Sequence, residues 1–131
     1  MKYIVDTHIL LWSILDPGKL SENILQTYEQ ADEVQASNIN FWEISLKYRL
    51  GKLDLDDLTP HDIYIAAIES NYKIICIDAQ TTAISYKLPL GKHKDPFDRM
   101  LIWHAIQNDT ALISRESLFD QYKIEGLKII K

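Results

Sequence analysis

Four carboxylates fall where the hydropathy of the chain turns from buried to exposed: Asp6, Glu43, Asp98 and Glu116. Asp6 directly follows the apolar run Tyr3-Ile4-Val5. Glu43 lies one turn into a helix that opens near Ile39, about 40° round from it by helical geometry and so at the edge of the apolar face. Asp98 is the third residue of a helix that Asp95 caps and Pro96 begins. It is aligned with Leu101, Ile102, Ala105 and Ile106, which places it on the inward stripe rather than the wet one. Glu116 comes three residues after Ile113, beyond another apolar run. Carboxylates gathered at one place repel and raise each other's pKa unless a cation compensates. Their oxygens suit Mg²⁺ or Mn²⁺, while scattered histidines and the single Cys76 do not suggest zinc. One or two such ions could activate a water and stabilise a leaving oxygen in phosphodiester cleavage.

Each acid also has a purely structural account. Asp6, Asp95 and Asp78 can cap the helices that follow them, and Asp95 could in addition reach a second metal site. Glu43 can pair with Lys47 at i,i+4, and Glu116 can be a solvated acid in the first turn of a helix. His8 and His93 are structural or rim residues on this account, Cys76 is a buried thiol, and Trp12, Trp42 and Trp103 are core. The joint placement of Asp6, Glu43, Asp98 and Glu116 favours the chemical reading.

The elements that must position these acids alternate. Strands are expected at Tyr3–Val5, Glu33–Ala36, Lys73–Ile77, Ala111–Ile113 and Leu127–Ile130. Helices are expected at His8–Leu15, after Ser21, from Ile39 to Leu50 with Gly51 as its stop, from Thr59-Pro60-His61-Asp62 to Ile68, from Asp78 to about Leu88, from Pro96 to about Gln107 and from Ser117 to Tyr122. In the third of these, Ile39, Trp42, Leu46 and Leu50 recur at helical spacing and should face inward. Apolar strands alternating with helices predict an α/β fold, a mostly parallel sheet flanked by helices on both faces. In such a sheet ligands bind at the carboxyl ends of the strands, where Asp6 and Glu116 both fall.

The chain has 131 residues, of which 47% are hydrophobic and 25% charged, and it reads as a single domain over 1–131. No apolar run approaches a membrane span or a secretory leader, and a cytoplasmic location without membrane contact is expected. A net charge of −5 excludes a general nucleic-acid coat protein but leaves room for a local basic rim. Lys47, Arg49, Lys92, Lys94, Arg99 and Arg115 lie near the acid-bearing segments and could form one that grips RNA.

Three motifs together resemble the PIN-domain family, and within it the VapC-type toxins of bacterial toxin–antitoxin pairs: Val5-Asp6-Thr7-His8, Phe41-Trp42-Glu43-Ile44 ahead of Leu50-Gly51-Lys52-Leu53, and Asp95-Pro96-Phe97-Asp98-Arg99-Met100-Leu101-Ile102. The resemblance covers essentially the whole chain. It implies a three-layer fold with sheet order 3-2-1-4-5 and a Mg²⁺- or Mn²⁺-dependent endoribonuclease. It also implies a homodimer and a VapB-like antitoxin that blocks the active site. By motif position Asp6, Glu43 and Asp98 match the family's central acids, and Thr7 its small polar residue. Leu112-Ile113-Ser114-Arg115-Glu116 stands where the family carries a fourth acid after a Ser or Thr, here Glu116 in place of the usual Asp. Two other classes compete. One is a PIN-like module that binds a partner without catalysis. The other is a phospho-acceptor signalling domain, which would need paired acids after the first strand and Asp78 as acceptor. DNA is the alternative substrate, although no helical arch to thread a flap is visible.

Overall fold

The short run Lys2–Val5 forms β1, the central strand of a five-stranded sheet of order β3-β2-β1-β4-β5 in the computed structural model, which describes Met1–Lys131. The other strands are β2 (Glu33–Ser37), β3 (Lys73–Ile75), β4 (Ala111–Ile113) and β5 (Ile129–Ile130). Every pairing is parallel, with Ile4 opposite Gln35 on one side and Leu112 on the other. All carboxyl ends therefore open on one edge. The helices are α1 (Thr7–Leu15), α2 (Glu22–Gln30), α3 (Asn38–Arg49), α4 (Pro60–Glu69), α5 (Ala79–Ala83) and α6 (Pro96–Gln107), with 3₁₀ turns at Pro17–Lys19, Ser85–Lys87 and Ser117–Glu125.

Side chains of a strand alternate between faces, and the core divides accordingly. Val5, Ala36 and Ile113 pack with Ile9, Leu10, Ile24, Ile44, Ile63 and Ala67 from α1 to α4. Ile4 and Leu112 pack on the other face with Leu101, Ile102 and Ala105 of α6 and with Phe119. Helix α3 contributes Ile39 to one cluster and Ile44 to the other, so it straddles the sheet at its carboxyl edge. This placement carries Glu43 to that edge.

Local signals set most boundaries. Ser21 caps α2, Thr59 and Asp62 form a reciprocal capping box on α4, and Asp78 caps α5. Gly51, at φ 71°, ends α3: its N–H bonds to the Tyr48 carbonyl and the next N–H to that of Lys47. Four expectations need correction. The helix after Asp78 breaks at Ile84, because β-branched Thr81, Thr82 and Ile84 weaken it and Pro89 holds Leu88 extended. Strand β3 stops at Ile75 on the sheet edge, which leaves Cys76 exposed instead of buried. Strand β5 is confined to Ile129 and Ile130. On α3, Trp42, Leu46 and Leu50 are exposed while Asn40, Glu43 and Ile44 are buried. No helix is long and apolar enough to cross a membrane.

Candidate active site

The backbone of β1 delivers Asp6 to the carboxyl edge, where its N–H still bonds to the Ile113 carbonyl of β4 at 3.1 Å. Asp6 is the N-cap of α1: its Oδ1 accepts from the Ile9 N–H at 2.8 Å, and its Oδ2 accepts from the Ser114 hydroxyl just past β4. Capping and burial coincide here, since Asp6 is only 4% exposed. Burial pushes its pKa above the usual carboxylate value and Glu43 adds to that, while the Ser114 and Ile9 hydrogen bonds and nearby His8 pull the other way.

Glu43 is as deeply placed, 3% exposed, and its two oxygens are held differently. Thr7 donates its hydroxyl to Oε1 at 2.6 Å, and Lys47, one turn on, pairs with Oε2. Asn40 ties this arrangement to the sheet. Its Nδ2 donates to Thr7 Oγ1 at 3.1 Å and to the Val5 carbonyl at 3.2 Å, and its Oδ1 accepts from the Ser37 N–H at 2.8 Å. Asn40 and Ser37 were absent from the sequence reading of the site. The signal was local: Ser37 followed three residues later by Asn40 is a capping-box pattern, and the box is formed.

Asp98 enters from the opposite side. Its N–H donates to the Asp95 carboxylate at 3.0 Å, so Asp95 is the cap of α6, as its sequence position suggested. The Asp98 side chain is 22% exposed and its Oδ2 lies 2.7 Å from His93 Nε2. Burial, and then the charges of Asp95 and Glu43, raise its pKa to about 6 against the lowering effect of His93. His93 is itself seated edge-on against Phe119. Asp6, Glu43 and Asp98 thus come from three separate elements, and the charge of Glu43 acts on both aspartates.

Glu116 is less integrated. It is exposed, and its Oε1 caps the 3₁₀ turn by accepting from the Leu118 N–H at 3.1 Å. Even so it lines a cleft of about 250 Å³ together with Asp6, His8, Trp12 and Arg115. The largest cavity, about 430 Å³, lies elsewhere, among Ser13, Tyr28 and Tyr72 near the amino ends of β2 and β3. Of the basic residues, Arg49, Lys92, Lys94 and Arg115 are exposed. Arg115 also reaches the Lys19 carbonyl at 3.3 Å and lies over the Trp12 ring. Arg99 turns inward instead: its guanidinium donates to the carbonyls of Leu88 and Pro89 and to the Tyr122 hydroxyl.

Residues 3–125 match the PIN domain family. The chain belongs to that family. Among its relatives is the ribonuclease VapC22 of Mycobacterium tuberculosis, 23% identical over 113 residues that span 86% of this chain and 85% of the relative. The fold is also that of two solved structures. One is VapBC2 from Rickettsia felis bound to a DNA fragment from their promoter, with a TM-score of 0.65, 18% identity, and coverage of 98% of this chain and 97% of that one. The other is FitAcB from Neisseria gonorrhoeae, with a TM-score of 0.67, 17% identity, and coverage of 100% and 97%. In this PIN domain the sheet has the expected order 3-2-1-4-5 and helices on both faces.

PIN-domain nucleases work with divalent metal ions, and the donor set here fits one chemically. Asp6, Glu43 and Asp98 offer oxygen ligands only, the donor type that a hard divalent cation takes, and burial is the main cause of the raised pKa of Asp6 and Asp98. No three of the carboxylates and histidines stand in ligating geometry. Each acid is held by its own chain: Asp6 by Ser114 and Ile9, Glu43 by Thr7 and Lys47, Asp98 by His93.

Proposed function

We propose that this PIN domain is a VapC-like endoribonuclease toxin that cleaves phosphodiester bonds of cellular RNA with Mg²⁺ or Mn²⁺, one ion or two. It acts in the cytoplasm as a homodimer under the control of a VapB-like antitoxin. The observation that carries the reading is the placement of buried Asp6 and Glu43 and partly buried Asp98 at the carboxyl edge of a parallel sheet, with the charge of Glu43 acting on both aspartates. The relationship to a named ribonuclease and to the VapBC and FitAcB structures adds support.

Asp6, Glu43 and Asp98 would hold the ion, with Glu116, which shares a cleft with Asp6, as a fourth, outer acid. When bound, the metal supplies Lewis acidity toward a phosphoryl oxygen and lowers the pKa of water. The chain supplies the rest. Ser114 and the Ile9 N–H fix both Asp6 oxygens, and Thr7, itself fixed by Asn40, orients Glu43. Preorganised carboxylates need little rearrangement when a charged substrate arrives. Lys47, released from Glu43, and exposed Arg49, Lys94 and Arg115 give the RNA phosphates cations in an otherwise acidic protein. Arg99 supports the His93 loop. The exposed Trp42, Leu46 and Leu50 on α3 offer the apolar surface a protein partner covers.

The test is cleavage of total cellular RNA by antitoxin-free protein with Mg²⁺, with Mn²⁺ and with chelator, alongside Asp98→Asn. Discrete fragments that require metal and vanish in Asp98→Asn support the nuclease. Undiminished cleavage by Asp98→Asn would overturn the assignment of that residue. A folded parent that leaves all RNA intact would favour the catalytically silent partner-binding module, a reading supported by exposed Glu116 and by the in-chain partners of every acid.

A further inference from the structure

Glu43 and Lys47 form an i,i+4 pair, but not the ordinary surface kind. Such pairs on wet helix faces contribute little, because water already screens both charges. Here the carboxylate is almost wholly buried and the lysine side chain is 34% exposed, so the ammonium sits at the mouth of the site. One Glu43 oxygen is satisfied inside the protein by Thr7, and the other faces Lys47. The ammonium also senses Asp95 and Asp98, across the gap between α3 and the start of α6. Desolvation lowers its pKa, but the hydrogen bond to Glu43 and the charges of Glu43, Asp95 and Asp98 outweigh this and raise it. Lys47 thus pairs directly with Glu43, and its positive charge also acts on the acids at the start of α6.

The other donors to the acids cannot leave without unfolding something. The Ile9 N–H belongs to the first turn of α1, Ser114 continues β4, and Thr7 is locked by Asn40. Lys47 has a flexible four-carbon stem and an exit to solvent. We propose that Lys47 is a resident counter-cation that occupies the acid cluster in the metal-free protein and must swing away from Glu43 before a divalent ion is held there. Metal loading is then a competition between the ion and the chain's own ammonium. The freed Lys47 remains at the rim, where it can meet a phosphate. This inference rests on the proposal that Asp6, Glu43 and Asp98 take a divalent ion.

The experiment measures Mn²⁺ binding to the full chain by calorimetry and by the loss of the free-ion electron paramagnetic resonance signal, with no RNA present. Lys47→Met keeps the aliphatic stem and removes the charge. Its affinity for Mn²⁺ is expected to rise about tenfold over the parent, since one positive charge beside the ion is gone. Lys47→Arg, which retains the charge, should stay near the parent value and serves as the second variant if Lys47→Met does not fold. In the parent with its lysines ¹³C-dimethylated, Mg²⁺ should shift the Lys47 signal, assigned by its absence in Lys47→Arg. Equal or weaker Mn²⁺ binding by Lys47→Met, or an unmoved Lys47 signal in a parent that binds Mg²⁺, would overturn the competition while leaving the metal site standing. No Mn²⁺ binding by parent or variant would overturn the metal site itself.

Discussion

The Thr7 hydroxyl donates to Glu43 Oε1 at 2.6 Å, joining the first residue of α1 to the middle of α3 through two buried side chains. Thr7 also accepts from Asn40, so removing its hydroxyl leaves a carboxylate oxygen and an amide N–H without their partner. Thr7→Val preserves shape and should cost about 1–3 kcal/mol of stability, the penalty of stranding buried polar groups. Cleavage should fall by roughly tenfold or more, because Glu43 loses its orientation. Thr7→Ser restores the hydroxyl and should recover most of both. Denaturant melts and RNA cleavage on the three proteins check this, and a wild-type-like Thr7→Val would show that Glu43 needs no such support.

Asp98 makes stability depend on pH. Its folded pKa of about 6 lies above the ordinary value of about 3.9, so between those limits the folded state holds the proton and the unfolded state has lost it. Stability then falls as pH rises through this window, by on the order of 3 kcal/mol in all. Asp6, also raised, adds a slope of the same sign. Asp98→Asn cannot ionise and should remove its share. In chelator it should be more stable than the parent at pH 7, with the gap closing toward pH 4. Thermal melts of both proteins across that range decide the matter, and an Asp98→Asn protein less stable at pH 7 would mean that His93 more than offsets the burial.

How much of this was legible in the sequence depends on whether the cause was local. Asp95-Pro96, Ser21, Thr59 with Asp62, and Gly51 act within a turn of themselves, and each does in the structure what its position implied. The orientation of α3 was not legible. Its large apolar residues at helical spacing are Ile39, Trp42, Leu46 and Leu50, and a reading by hydropathy turns them inward. The protein keeps Ile39 inward but leaves Trp42, Leu46 and Leu50 exposed and buries Asn40 and Glu43, because hydrogen bonds from Asn40 to Val5 and Thr7, and from Thr7 to Glu43, compensate their burial. Those partners lie more than 30 residues away, and no local pattern reports them. The exposure of Cys76 is hidden from the sequence for a related reason: where an edge strand stops is decided by its neighbour β2 rather than by its own apolar run.

Gly51 offers a change in stability without a change in chemistry. Its φ of 71° lies in the left-handed region, and an added Cβ would meet nothing within 4 Å. The cost of Gly51→Ala is therefore conformational alone, about 1 kcal/mol. RNA cleavage and Mn²⁺ affinity should match the parent at temperatures where both are folded. A large loss of activity would mean that the turn after α3 helps to place Lys47 or Arg49.

Arg99 was expected on the basic rim, but its guanidinium reaches the carbonyls of Leu88 at 2.8 Å and Pro89 at 3.1 Å and the Tyr122 hydroxyl at 3.0 Å. Tyr122 in turn donates to the His93 carbonyl. Arg99 and Tyr122 therefore strap residues 88–93 to α6 and hold His93 against Asp98. A planar fork with several donors suits this task, and an ammonium does not. Arg99→Lys should accelerate amide exchange across 88–93 and reduce cleavage while leaving the salt dependence of RNA binding as it was. If Arg99 instead contacts phosphate, Arg99→Lys should behave like the parent. Arg99→Met should then lower the slope of log affinity against log salt by about one, with no change in exchange. Exchange by mass spectrometry and RNA titrations at several salt concentrations on the same three proteins separate the strap from the phosphate contact.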